Sequence, residues 1–245
     1  MVRSLLIQGM LVGVLAGLLA FGVASVIGEP QVQAAIDFEA RQTPPSASAA
    51  DTELVSRATQ RTGGLLAGTV AMGVALGGLF ALVFAWAYGR ASRRSARVTS
   101  AALALAAFVT VTVVPFTKYP ANPPAVSNPD TLDRRTVLFL AMIAISIAAL
   151  VAATRIRRQL LTRLGDWNAT LAAAIAFVAL VAAAQLIMPA VHEMPAGFPA
   201  DVLYRFRLAS VGVSATLWAV LGIGFGITAE RLVARTATTA TPAKA

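Results

Sequence analysis

The amino-acid sequence predicts an all-α polytopic membrane bundle of six transmembrane helices with both termini on the cytoplasmic side. Three observations predict it: a composition too apolar for a water-soluble fold, six apolar runs of spanning length, and an alternation of charge between the loops that join them. Apolar residues make up 58% of the 245-residue chain and charged residues 13%, about half the charged share of an ordinary soluble domain. Lipid accepts such a surface, whereas water does not. Helix is the only state open to the apolar runs, because an open strand in hydrocarbon leaves backbone groups unpaired.

The six runs cover residues 4–27, 63–89, 98–116, 136–154, 169–189 and 208–229, each close to the roughly 20 residues a hydrocarbon core requires. The first, behind Arg3, is too long for a signal-peptide core of about 7–15 residues, so a retained helix is expected. Residues 1–235 read as one transmembrane domain, and the Thr/Ala/Pro-rich tail 236–245 as disordered.

Loop charge sets the topology. The N-terminus, loops 90–97 and 155–166 and the segment after residue 229 hold twelve bases against Asp166 and Glu230. The other three loops hold the remaining eight bases and nine of the eleven acids. This is the positive-inside bias, and it requires an even number of spans. Trp86, Tyr88, Tyr119 and Trp167 fall at span ends, where amphipathic rings meet headgroups. The bias also accounts for the net charge of +9. No basic stripe is interleaved with stacking aromatics, so nucleic acid is not an expected partner.

Glycines recur every four residues: Gly9, Gly13 and Gly17; Gly64 and Gly68; Gly73 and Gly77; Gly222 and Gly226. Such spacing brings helix backbones together, within one bundle or between copies in a homo-oligomer.

Two outer loops share a pattern. Pro120-Ala121-Asn122-Pro123-Pro124 leads to Asp130-Thr131-Leu132-Asp133-Arg134, and Pro195-Ala196-Gly197-Phe198-Pro199 leads to Asp201-Val202-Leu203-Tyr204-Arg205. Asp51, Leu54 and Arg57 echo it before the second span. The pattern suggests repeated helix-loop-helix units, an arrangement common in transporters. In one reading the carboxylate of Asp130 or Asp201 caps a helix start, pairing with free N–H groups and the positive dipole end, and Arg134 or Arg205 pairs with it one turn on. In the other the outer loops form a cation-collecting vestibule, with Glu29, Asp37 and Glu39 after the first span. There His192, Glu193, Asp201 and Asp130 are candidate transient metal ligands, because imidazole and carboxylate suit divalent first-row cations. Asn122 and Asn128 complete the site if the loops converge.

Cysteine is absent, which excludes disulfides and thiol chemistry, and there is no phosphate-binding Gly-x4-Gly-Lys-Ser/Thr loop. No ionisable side chain falls mid-span, where ion-coupled carriers usually hold one. The polar residues at depth are mild: Gln8, Thr69, Thr110, Thr112, Ser146, Gln185, Ser214 and Thr216. Catalysis needs a nucleophile or an acid–base pair in mutual reach, and the spans offer none. No enzymatic activity and no resident cofactor are expected.

At these loops the sequence resembles the CbtA family of probable cobalt transporter subunits. The resemblance is carried by Leu11-Val12-Gly13-Val14-Leu15-Ala16-Gly17 leading to Glu29-Pro30, by Lys118-Tyr119-Pro120-Ala121-Asn122-Pro123-Pro124 with Asp130 and Arg134-Arg135, and by Phe198-Pro199-Ala200-Asp201 through Arg205-Phe206-Arg207-Leu208-Ala209-Ser210. It implies a bacterial inner-membrane protein with cobalt as the transported ion, linked to cobalamin synthesis. It further implies a small single-span partner subunit with a His-rich end. It also implies about five spans, against the six that hydropathy and loop charge indicate. The alternative to uptake is a non-transporting membrane scaffold or assembly factor.

Overall fold

A computed structural model describes residues 2–42, 56–90, 94–124, 126, 129–191, 193–195 and 197–239. Among them there is no strand, and five helical stretches are long and apolar enough to cross a membrane. They are α1 (Val2–Gln42), α2 (Arg57–Ala87), α3 (Ala96–Lys118), the stretch Pro129–Ile187, and a last helix built of Ala200–Val220, Leu221–Phe225 and Gly226–Thr239. Leu186 and Ile187 are 88% and 84% exposed. Faces of that kind suit hydrocarbon and oppose a water-soluble fold.

The stretch Pro129–Ile187 is two helices. Gly165 stands at φ 74°, ψ 172°, a region that only glycine enters without strain. Arg157 donates to Thr170 Oγ1 at 2.9 Å and pairs with Asp166. On a straight helix, residues 157 and 170 would lie about 20 Å apart. The chain therefore folds back at Gly165, and residues 129–164 (α4) and 166–187 (α5) form a hairpin. The last helix, residues 200–239, is α6.

Two boundaries differ from expectation. Helix α1 does not stop near residue 27 but runs to Gln42. Pro30 has no N–H to donate, and a π turn at Ala24–Gly28 precedes it, with the Glu29 N–H bonded to Ala24 O. The wider turn lets the helix pass the proline. Beyond it, Glu29 lies in the first turn and Arg41 in the last, the polarity a helix dipole favours. At the other end, α6 continues helically to Thr239, where a disordered tail from 236 is expected. Residues 240–245, Asp51 and Leu54 lie outside the described residues.

A second π turn, Phe108–Val113, precedes Pro115 in the same way, and the π turns Gln60–Gly64 and Leu221–Phe225 each contain two glycines. Ser56 caps α2 and Ser95 caps α3, each hydroxyl accepting a backbone N–H three residues on at 3.4 Å.

The chain forms two compact units, Met1–Phe108 with Tyr204–Ala245, and Val109–Leu203. In the first, α1 and α2 touch backbone to backbone: Gly9 against Gly77, Gly13 against Gly73, Gly17 against Thr69. Each step of four along α1 meets a step of four backwards along α2, so the helices are antiparallel. Gly222 and Gly226 give α6 the same closeness to α3 at Ala104, Ser100 and Arg97. The buried Ser100 hydroxyl donates to Gly222 O at 2.8 Å. Phe225, fully buried, meets Phe80 and Phe84 edge-on at 5.4 and 5.1 Å, the arrangement ring quadrupoles prefer. Arg97 and Glu230 form an ion pair in the same unit.

In the second unit Val114, Tyr119 and Met142 form a core closed by Leu138 and Phe139 of α4 and Phe177, Val181 and Ala184 of α5. The buried Ser146 hydroxyl on α4 donates to the Thr110 carbonyl of α3.

Candidate functional site

Two polar constellations stand out, one in each unit. That of the second unit grows from the end of α3. Tyr119 leaves the helix at φ −125° after its N–H bonds Pro115 O at 2.8 Å, and polar contacts from this exit reach the end of α5, the segment after it and the start of α4. Lys118 Nζ donates to Gln185 O at 2.7 Å, capping the last turn of α5, where free carbonyls and the negative dipole end favour a cation. Gln185 Nε2 donates to Thr117 Oγ1 at 2.6 Å. The Tyr119 hydroxyl donates to Pro189 O at 2.8 Å. Burial pushes its phenol above the ordinary tyrosine value, opposed by the Arg134 guanidinium.

Glu193 lies at the centre, its side chain 3% exposed. Its carboxylate accepts from Asn122 Nδ2 at 3.0 Å, from Arg135 Nη1 at 3.2 Å and from the Thr131 hydroxyl. Arg135 also donates to Pro120 O. A buried carboxylate is tolerable only when charge and hydrogen bonds compensate it, and here both do. The segment Lys118-Tyr119-Pro120-Ala121-Asn122 thereby acquires a physical reading: its polar side chains and one carbonyl tie the α3 exit to the α4 start and the α5 exit.

Of the four residues expected to meet metal, Glu193 joins this knot together with Asn122. Asp130 and Asp201 are exposed, each in the first turn of its helix. His192 and Asn128 lie outside the described residues. Among the described residues no group of three or more His, Cys, Asp or Glu comes together to hold a metal ion. Arg135, not Arg134, is the arginine that pairs with the buried carboxylate.

The constellation of the first unit escaped sequence reasoning. Glu29, directly after the π turn of α1, forms an ion pair with Arg57 at the start of α2, and their side chains are 18% and 26% exposed. Among the described residues, Arg57 Nε is buried without a partner, and so is Ser25 Oγ one turn before Glu29. The pair borders a crevice of about 500 Å³ whose polar lining includes Gln60, Thr69 and Ser214. A second crevice of about 270 Å³, reaching Phe206 and Ser210, shares Glu29. The sequence carried no signal for this pair, because the register that opposes the two residues is visible only in the structure. The glycine register Gly9–Gly77, Gly13–Gly73, Gly17–Thr69, continued by three steps of four, sets residue 29 against residue 57.

A family model described as "Probable cobalt transporter subunit (CbtA)" matches residues 2–230. No curated protein and no solved structure matches the chain.

Proposed function

Because the chain belongs to the CbtA family, whose description is that of a probable cobalt transporter subunit, we propose that it serves uptake of divalent cobalt across the bacterial cytoplasmic membrane. The match over residues 2–230 carries this reading, and the lipid-suited helices support it: the chain is a multi-pass membrane protein. A transporter subunit is not an enzyme class, and the word subunit implies a partner protein. In the proposed arrangement α1 to α6 cross the bilayer six times with both ends inside. The α4–α5 hairpin at Gly165 supports that count, and the loop charges support the orientation.

The partner is proposed to be small, single-span and His-rich, and the imported metal to feed cobalamin synthesis. A hydrated divalent ion crosses an uncharged path only where water, carbonyls or a partner replace its hydration shell. With no charged side chain mid-span in the sequence, completion of the path by a partner is the economical arrangement. His192, Asp130 and Asp201 remain proposed transient contacts at the outer face. Glu193, already holding Arg135, Asn122 and Thr131, is better suited to bracing that face than to releasing an ion.

The test is accumulation of labelled cobalt at limiting concentration in cells with this protein, with and without its partner, with nickel and zinc in parallel. Cobalt accumulation dependent on both proteins is expected; equal accumulation in deleted and complemented strains refutes it. Reporter fusions in loops 90–97 and 120–133 are expected to fall on opposite sides of the membrane.

One observation favours a second reading as a scaffold: the Glu193 carboxylate at the centre of the outer-loop knot is already held by Asn122, Thr131 and Arg135. A scaffold retains function when His192, Asp130 and Asp201 all become alanine, whereas the uptake reading expects slower accumulation.

A further inference from the structure

We propose that Glu29 is a cation-exchange site at which Arg57 serves as a built-in stand-in for a divalent metal ion, the incoming ion displacing the guanidinium from the carboxylate. The inference rests on the uptake reading for the identity of the cargo.

The geometry at the pair is that of a temporary partner. An arginine meeting a carboxylate for stability alone tends to offer two parallel N–H donors. Here, among the described residues, the contact is made by Nη2, and Nε is buried without a partner. Exchange removes that mismatch, because a guanidinium that swings away can hydrate its Nε. The carboxylate stands between two crevices, so an ion has room on either side. The larger, at about 500 Å³, holds a cation with six waters, whose liquid volume is about 180 Å³.

The donors around the crevice are hard oxygens. Besides Glu29, Gln60 offers an amide oxygen, and Thr69 and Ser214 offer hydroxyls. Thr69 Oγ1 donates its own proton to Leu66 O at 3.1 Å, leaving oxygen lone pairs to accept from ion-bound water. One carboxylate with neutral oxygens and water binds a divalent ion weakly. Weak binding suits a site that must also release its ion.

The position adds to the case. Pro30 brings no N–H to the π turn that precedes Glu29, and a second π turn, Gln60–Gly64, lies just beyond Arg57. Such turns recur at functional sites because they leave carbonyls less fully engaged than an α-helix does. Both helix arms carrying the pair are thus locally widened at the crevice.

The experiment uses the full chain in nanodiscs, titrated calorimetrically with cobalt chloride, then nickel and zinc chloride. Wild-type protein is expected to bind with millimolar to micromolar affinity. Glu29→Gln, which keeps the shape and removes the charge, is expected to weaken binding at least about tenfold, and Glu29→Asp to retain it within about threefold. Arg57→Gln is expected to tighten binding by about tenfold, since the competing cation is gone. That inversion separates exchange from a structural ion pair, whose loss would leave affinity unchanged or reduced. Thermal unfolding of each variant by circular dichroism accompanies the titrations, and Arg57→Lys, which keeps the charge, is expected to bind like wild type. No metal binding by wild type, unaltered binding by Glu29→Gln, or unaltered or weakened binding by a folded Arg57→Gln overturns the proposal. Cobalt accumulation in cells separates the two readings: equal uptake by wild type and Glu29→Gln defeats the exchange site alone, and no uptake by wild type defeats the uptake function.

Discussion

Replacing Gly13 by alanine perturbs the α1–α2 contact where nothing can yield. The added Cβ would stand 2.8 Å from the Gly73 carbonyl carbon, closer still to its oxygen, and 3.0 Å from Val74 Cα. All three are backbone atoms of a helix, so no side chain can swing aside. The oxygen, the nearest of the three, sets the displacement, and restoring ordinary contact requires the helices to separate by roughly 1 Å. A gap of that size forfeits about a quarter to a half of each dispersion well, worth about 0.15 kcal/mol per atom pair. With on the order of 40 pairs along the interface from Gly9 to Gly17, the loss is about 1.5–3 kcal/mol. Alanine's better helix propensity returns up to about 1 kcal/mol. Gly68→Ala and Gly22→Ala are the controls, since a Cβ at either meets nothing within 4 Å. Reversible unfolding in mixed micelles, followed by far-UV circular dichroism against the fraction of denaturing detergent, measures the difference. Gly13→Ala should be less stable than Gly68→Ala by at least about 1.5 kcal/mol. Equal stabilities would refute the close backbone contact and with it the register that opposes Glu29 to Arg57.

Four further outcomes follow from the second unit. Arg135→Ala strands the Glu193 carboxylate and is expected to destabilise by about 3–5 kcal/mol in the same assay, whereas the double variant with Glu193→Gln should recover part of that loss. Tyr119→Phe removes the hydrogen bond to Pro189 O and should cost about 1 kcal/mol. The raised phenol pKa also predicts a pH dependence. The unfolded chain releases this proton near the ordinary value of 10.0 and the folded chain later, so the stabilisation is complete below 10 and is lost as pH rises from there through the folded value. Tyr119→Phe should flatten that decline, and ultraviolet titration of tyrosinate absorbance should lose the component that Tyr119 contributes. Gly165→Val places a branched residue at φ 74° and should cost about 1–3 kcal/mol through the backbone alone, because no atom lies within 4 Å of the added Cβ.

What could be read from the residues divides along the range of the forces involved. Apolar runs of spanning length specify helices because backbone pairing in lipid must be satisfied locally, and the described helices lie where those runs lie. Turns carried by a single residue, such as Gly165, fell in the expected loop. The spacing of four also marked glycines fit for close contact, yet it could not separate Gly13 and Gly73, which touch, from Gly68, which meets nothing. That distinction depends on which face of each helix turns inward.

The outer loops show the same division. Asn122 and Glu193 were visible as members of one region, but not that Glu193 is spent on Asn122, Thr131 and Arg135. Neither was the choice of Arg135 over Arg134 visible. The continuation of α1 beyond Pro30 was hidden for another reason: a proline usually ends a helix, and only the π turn before it shows how the chain passes through. By itself, then, the sequence determined the apolar helical runs and the loop charges, all of which depend on neighbours along the chain. Only the tertiary structure decided which charges meet, Glu29 with Arg57 and Glu193 with Arg135. A pairing across helices depends on inter-helix register and rotation, and a shift of one residue along a helix turns a side chain by about 100°.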